Sequence, residues 1–113
     1  MNVTLHLHDE FKRQFRQLRK KYRSLTDDLE EFQKELIKNP FQGDDLGGGV
    51  RKFRMAIASK GKGKSGGARI LTLNALVSDD VDVTLLTIYD KNEIDNVSDE
   101  YISWLVSEVR KAE

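Results

Sequence analysis

The spacing of the apolar residues changes three times along the chain, and these changes restrict the folds open to it more than any other feature. Residues 3–7 alternate apolar and polar, which predicts a half-buried strand. From Asp9 to Pro40 the apolar residues recur every three or four positions, as on the buried face of a helix. From Val50 to Tyr89 the strand period returns, and a last helical stretch follows Ser98. The pattern predicts the element order β-α-α-β-β-β-α.

Polar residues mark the predicted helix ends. We expect the first helix to start at Asp9, with that carboxylate as its cap. The second helix is predicted to start at Thr26, capped by the hydroxyl, and to stop before Pro40, the only proline. Ser98 is the expected cap of the last helix. Because so short a segment joins the first two helices, they should form an antiparallel hairpin.

Residues 42–49 are predicted to be a loop, and residues 50–58 and 68–77 to be antiparallel strands of one hairpin. Residues 81–89 carry apolar side chains at both odd and even positions, as in a central strand that is covered on both faces. The sequence therefore predicts an α/β (α+β) fold with a small, mostly antiparallel sheet packed against an N-terminal helix hairpin. At 113 residues, we expect a single domain spanning 1–113.

The composition limits the kinds of site and compartment. There is no cysteine, so disulfides and thiolate metal sites are excluded. Apolar runs are shorter than the roughly 20 residues of a membrane span, and the first residues do not resemble a secretory signal. We expect a cytoplasmic chain without a membrane partner. His6 and His8 share a strand face with no obvious carboxylate cluster, so no metal or cofactor is expected.

Positive charge is concentrated in one part of the chain, although the formal net charge is zero. Residues 46–78 hold seven Lys and Arg residues and no Asp or Glu, whereas the rest holds 12 basic and all 19 acidic residues. Such separation produces a local positive field that attracts a polyanion. The alternative is that this segment is only a solvated face.

Within that segment, two cations should share the open face of a strand. If Phe53, Met55 and Ile57 face the core, Lys52 and Arg54 point together to the other side, about 7 Å apart. That spacing can hold successive phosphates, or it can simply solubilise an outer strand.

The loop 60–67 alternates lysine with glycine, so we expect a flexible cationic loop that closes on a nucleic-acid backbone. An uninvolved hairpin tip is the alternative. A nucleotide-binding P-loop is excluded, because Ala58 stands where that motif needs glycine and a strand follows instead of a helix.

Tyr89, near the end of the penultimate segment, is a candidate for stacking on a base or for proton transfer through its hydroxyl. The alternative is an ordinary core tyrosine. Tyr101 and Trp104 on the last helix are expected to serve packing or partner contact.

Several of these stretches resemble RelE/HigB-type toxins of type II toxin–antitoxin systems. Residues 50–54 followed by the Lys-Gly-Lys-Ser-Gly-Gly-Ala-Arg run at 62–69 resemble that family's central hairpin, and residues 85–93 are similar to its penultimate strand. The resemblance implies a ribosome-dependent endoribonuclease that cuts mRNA without a metal, using the RNA's own 2′-hydroxyl. It also implies a cognate antitoxin as partner, with operator DNA contacted only through the toxin–antitoxin complex.

The resemblance, read together with the charge pattern, gives a set of candidate site residues. Arg54 and Arg69 are expected to stabilise charge on the scissile phosphate, and a lysine crowded by these cations to act as acid or base. The catalytic candidates are Arg54, Lys64, Arg69, Tyr89 and Lys91, and the RNA-binding candidates are Lys52, Lys60 and Lys62.

The chain departs from the family pattern at two places: Asn92 follows Lys91 where many relatives have arginine, and Val97-Ser98 replaces a tyrosine. The alternative function is a non-catalytic or gyrase-inhibiting module of the RelE/ParE type, acting by protein–protein binding.

Overall fold

The computed structural model describes residues 1–112 and has an α+β architecture, which confirms the predicted fold class. Three helices and five strands occupy the described part of the chain. In chain order they are β1 (Val3–Leu7), α1 (Asp9–Lys21), α2 (Leu25–Lys38), β2 (Asp44–Gly47), β3 (Val50–Met55), β4 (Ala68–Val77), β5 (Asp80–Asp90) and α3 (Asp99–Lys111), with a 3-10 turn at Ala58–Lys60 before β4.

The strands form one mixed sheet in the order β1-β5-β4-β3-β2. β1 pairs parallel with β5, and the other pairs are antiparallel. β5 lies between β1 and β4 and is buried along most of its length, as its apolar residues on both parities predict. A bulge at Leu71–Thr72 against β5 changes the register between these two strands.

The helices α1 and α2 cover one face of the sheet and form the larger core. Phe11, Leu25 and Leu36 of the helices pack there against strand residues that include Phe53 and Met55. The predicted inward positions of β3 are thus confirmed, with Ile57 buried on the same side. Alternation then places Lys52 and Arg54 on the opposite face.

The helix α3 covers part of that opposite face. Leu105 is fully buried against Val50, Leu71, Leu73 and Leu86, which form a second, smaller core. Ser98 caps α3 as predicted, because its hydroxyl accepts a hydrogen bond from the Tyr101 amide. The helix reaches only part of the sheet, so the end that carries Arg54 and Arg69 lies outside this second core.

Four local predictions were wrong. His8 caps α1 in place of Asp9, because its Nδ1 accepts a hydrogen bond from the backbone amide of Glu10. α2 begins at Leu25, one residue before Thr26, and its N-cap Ser24 makes no side-chain capping bond. Residues 44–47 form the short strand β2, because they pair with residues 50–52 across a turn of left-handed glycines. β3 ends at Met55, three residues earlier than predicted.

Within residues 1–112, no helix is both long and apolar enough to span a membrane.

Candidate nucleic-acid interface

Three of the candidate side chains lie in one row across the sheet. Arg54 of β3 pairs with Arg69 of β4, and Arg69 pairs with Tyr89 of β5. Neighbouring strands are about 4.8 Å apart, and paired residues point to the same face. The row therefore brings two guanidinium groups and a phenol together at the end of the sheet that α3 leaves open.

Arg69 is not an exposed cation. Its side chain is buried, and its guanidinium donates hydrogen bonds to the backbone carbonyls of Lys64 (3.1 Å), Ser65 (3.0 Å) and Ala68 (3.3 Å). These bonds hold the glycine-rich loop 61–67 against the start of β4. Arg69 therefore has a structural role, because three carbonyl oxygens would lose a donor if it were removed.

Tyr89 is a core residue. Only 3% of its surface is exposed, and its hydroxyl makes no hydrogen bond within residues 1–112. Burial raises the pKa of this hydroxyl, while the nearby Arg69 charge lowers it in part. A ring this deeply buried cannot stack on a base, so that predicted role is wrong for this conformation. Tyr89 is nevertheless the cross-strand neighbour of Arg69.

Lys60 points away from the row, to the helix side of the sheet. Its ammonium forms an ion pair with Asp90 at 2.8 Å, and both side chains are buried. The Tyr22 hydroxyl and the backbone amide of Asn92 also donate hydrogen bonds to the Asp90 carboxylate. Burial alone would raise the pKa of Asp90, but the hydrogen bonds from Lys60 and Tyr22 offset this and lower it. Lys60 is therefore not available to RNA, contrary to the prediction.

The cations that remain accessible are Arg54, Lys62 and Lys64. All three are exposed, and within residues 1–112 their side chains form no ion pair or hydrogen bond. Arg54 and Lys64 line one groove of about 270 Å³ between α2 and β3, beyond the point where β2 stops pairing, and three carboxylates of α2 line the same groove. The structure thus brings Arg54, Arg69, Tyr89 and Lys64 together, with Lys62 on the adjoining loop.

Two further candidate lysines contact the segment that leads from β5 to α3. Lys91 donates to the Asp95 carboxylate at 2.6 Å and to the Asp95 carbonyl at 3.3 Å. Lys52 reaches the Asn96 side chain at 3.5 Å and lines an open cleft of about 860 Å³ beside α3. Segment 92–97 therefore passes over the cationic end of the sheet from β5 toward β3.

A comparison with known families agrees with this arrangement. Residues 5–111 match the model of the RelE toxin of the RelE/RelB toxin–antitoxin system. The chain belongs to the RelE toxin family. The predicted resemblance is thereby confirmed, and membership implies that this RelE-family toxin has an antitoxin partner.

Sequence reasoning missed Asp95 and Asn96 beside this candidate site, and the buried Asp90 on the other face of the sheet. Asp95 stands four positions after Lys91, but in a loop this spacing does not predict an ion pair as it would in a helix. Asp90 is the last residue of the buried strand β5. A buried carboxylate usually has a cation or hydrogen-bond donor as partner, so its position after an apolar run could have predicted an ion pair. Within residues 1–112, no three His, Asp or Glu side chains gather as metal ligands would.

Proposed function

We propose that this RelE-family toxin is an endoribonuclease that cleaves mRNA on the ribosome, and that its antitoxin blocks this activity. The observation that carries the proposal is exposed Arg54 at one end of the Arg54–Arg69–Tyr89 row, with exposed Lys64 lining the same groove. The exposed positive charges of Arg54, Lys62 and Lys64 fit a phosphodiester backbone. Contact with operator DNA is proposed to occur only through the toxin–antitoxin complex.

The proposed reaction needs little beyond charge stabilisation and proton transfer. The RNA's 2′-oxygen attacks the adjacent phosphorus, the bond from phosphorus to the 5′-oxygen breaks, and the products are a 2′,3′-cyclic phosphate and a 5′-hydroxyl. One proton passes from the 2′-hydroxyl to a solvent water, and another is delivered to the departing 5′-oxygen. Arg54 stabilises the negative charge that develops on the phosphate, as a guanidinium does well.

The roles of the other residues follow from their environments. Lys64 is exposed beside Arg54 and donates the proton to the leaving oxygen. Arg69 keeps the loop of Lys64 in place through its carbonyl contacts and adds positive charge beneath the site. Lys62 binds a flanking phosphate from the exposed loop. Lys52 and Lys91 extend the contact along the face.

The test is cleavage of a defined mRNA in a reconstituted translation reaction, with RNA ends mapped and their chemistry identified. The chain should produce cuts within the ribosome-covered codon, with a 2′,3′-cyclic phosphate upstream and a 5′-hydroxyl downstream. Arg54→Ala should lower the cleavage rate about a hundredfold or more, since the loss of one charge-stabilising donor costs roughly that much. Arg19→Ala is the matched control, because Arg19 is exposed on α1 over the other face.

If the mRNA stays intact in the presence of the folded protein and translating ribosomes, the proposal is contradicted. An unchanged rate for Arg54→Ala, in a variant with the parental melting temperature, would remove the row from the site. A rate that falls equally in Arg19→Ala would show that overall charge, and not this site, is responsible.

A non-catalytic module is the second candidate, and one observation favours it. Three predicted catalytic or RNA-binding side chains, Lys60, Arg69 and Tyr89, are buried and serve the fold. If the chain arrests growth without cutting mRNA, this candidate replaces the nuclease. A DNA-damage response with intact mRNA would point to inhibition of gyrase.

A further inference from the structure

Segment 92–97 places a carboxylate among the cations of the proposed RNA-binding face. Asp95 forms an ion pair with Lys91 at 2.6 Å, and the next residue, Asn96, contacts Lys52. Lys52 lies on β3 and Lys91 follows β5, so the segment reaches across β4 to connect the two sides of the face. No element of the fold requires this pair: the Asp95 side chain is 97% exposed.

The Asp95 carboxylate is ionised at neutral pH. The hydrogen bond from Lys91 and the positive charge of that lysine lower the pKa of Asp95, and the charge of Lys52 acts in the same direction. The carboxylate also influences Tyr89, whose pKa it helps to raise. One negative group therefore contacts Lys91 and lies near Lys52, two of the residues proposed to bind RNA.

We propose that Asp95 is an internal competitor for phosphate, occupying the Lys91 ammonium in the free protein and leaving it when a nucleic-acid backbone binds. The inference rests on the proposed function of this face and identifies a residue that limits which anions bind there. A carboxylate oxygen takes the position of a phosphate oxygen, because both accept a charge-assisted hydrogen bond from the same ammonium.

The strength of the contact determines the kind of ligand that displaces it. An exposed ion pair contributes little in water, so a backbone with several phosphates removes Asp95 easily. A single phosphate has only one or two of these cations to bind and must still break the pair. Asp95 therefore makes the face selective for polyanions over free phosphate or mononucleotides.

The experiment compares Asp95→Asn with the parental chain in binding a fluorescent 12-nucleotide single-stranded RNA, measured by anisotropy over a series of salt concentrations. Asparagine keeps the shape of the side chain and removes its charge. Asp79→Asn is the matched control: it makes the same charge change in the exposed turn between β4 and β5, at the end of these strands away from Lys91.

Asp95→Asn should bind the RNA about three- to fivefold more tightly at low salt, and the gain should shrink as salt rises. In the parental chain, RNA binding replaces the Asp95 carboxylate on Lys91 with a phosphate. In Asp95→Asn, Lys91 has no carboxylate partner, so its contact with RNA counts as one additional phosphate contact. The plot of log affinity against log salt concentration should therefore become steeper by roughly 0.7. Inorganic phosphate should also compete more strongly with the RNA in this variant. Asp79→Asn should change neither the affinity nor the slope beyond the general effect of one charge.

If the parental chain binds RNA and Asp95→Asn binds it with equal or weaker affinity, the inference is overturned and the proposed function still stands. Equal gains in Asp95→Asn and Asp79→Asn would also overturn it, since overall charge would then explain both. RNA binding by neither the parental chain nor the variant would defeat the inference and the proposed function together. Tighter binding combined with lost cleavage would make Asp95 a participant in the reaction and would overturn the competitor role.

Discussion

The Lys60–Asp90 pair yields the most demanding prediction, because it reverses the role that the sequence suggests for Lys60. Replacing Lys60 with methionine keeps most of the stem and removes the charge. The side chains of Lys60 and Asp90 are 6% and 1% exposed, so the substitution leaves a buried carboxylate without its cation. The cost should appear as a lower free energy of unfolding.

The magnitude follows from the remaining contacts of Asp90. Removing one member of a buried ion pair typically costs about 3–5 kcal/mol. The hydrogen bonds from Tyr22 and the Asn92 amide stay in place, so we expect about 3 kcal/mol, at the lower end of that range. For a domain of this size the melting temperature should fall by roughly 10–20 °C.

Urea unfolding followed by circular dichroism measures this cost, and Lys62→Met is the matched control. Lys62 lies two residues away in the same loop and is exposed, so its substitution should change stability by less than about 0.5 kcal/mol. Adding Asp90→Asn to Lys60→Met should recover part of the lost stability, because no buried charge then remains unpaired. A loss below about 1 kcal/mol for Lys60→Met would show that the pair does not stabilise the fold and would return Lys60 to the group of free cations.

Two further predictions concern buried groups near the same end of the sheet. The folded-state pKa of Asp90 lies below its unfolded value of about 3.9. Its contribution to stability is therefore complete above that pH and is lost as pH falls through the lower folded value. Unfolding measured between about pH 2 and 5 should show a shallower acid loss in Asp90→Asn than in the parental chain, and parallel curves would contradict this. Tyr89→Phe should leave stability unchanged or raise it by about 1 kcal/mol, because it removes a buried hydroxyl without a partner. A loss above about 1 kcal/mol in a denaturant titration would show that the hydroxyl is satisfied.

Much of the architecture could be read from local patterns. The change of apolar period predicted the order of helices and of the long strands, and alternation predicted which side of β3 faces the core. Ser98 was predicted as a cap because its signal is contained in four consecutive residues. β2 was missed, since a pair of aspartates beside three glycines resembles a loop and forms a strand only by pairing with β3.

The site was less predictable for a related reason. Sequence patterns predicted that Arg54 and Lys64 belong to a basic surface, and the structure leaves both exposed. The same patterns grouped them with Lys60 and Arg69, which the fold buries. Lys60 meets Asp90 thirty residues further along the chain, and Arg69 turns back onto the carbonyls of its own loop.

The fold class, the buried faces and the concentration of positive charge in residues 46–78 could all be predicted from the primary structure, because they depend on the spacing and sum of neighbouring side chains. Which cations face solvent depends instead on contacts between segments that are far apart in the chain. A lysine or arginine of identical local pattern becomes a binding group or an internal anchor according to whether a distant carboxylate or carbonyl lies within hydrogen-bonding reach. That proximity depends on how the sheet and helices bring remote segments together, as at Lys60–Asp90 and Lys91–Asp95.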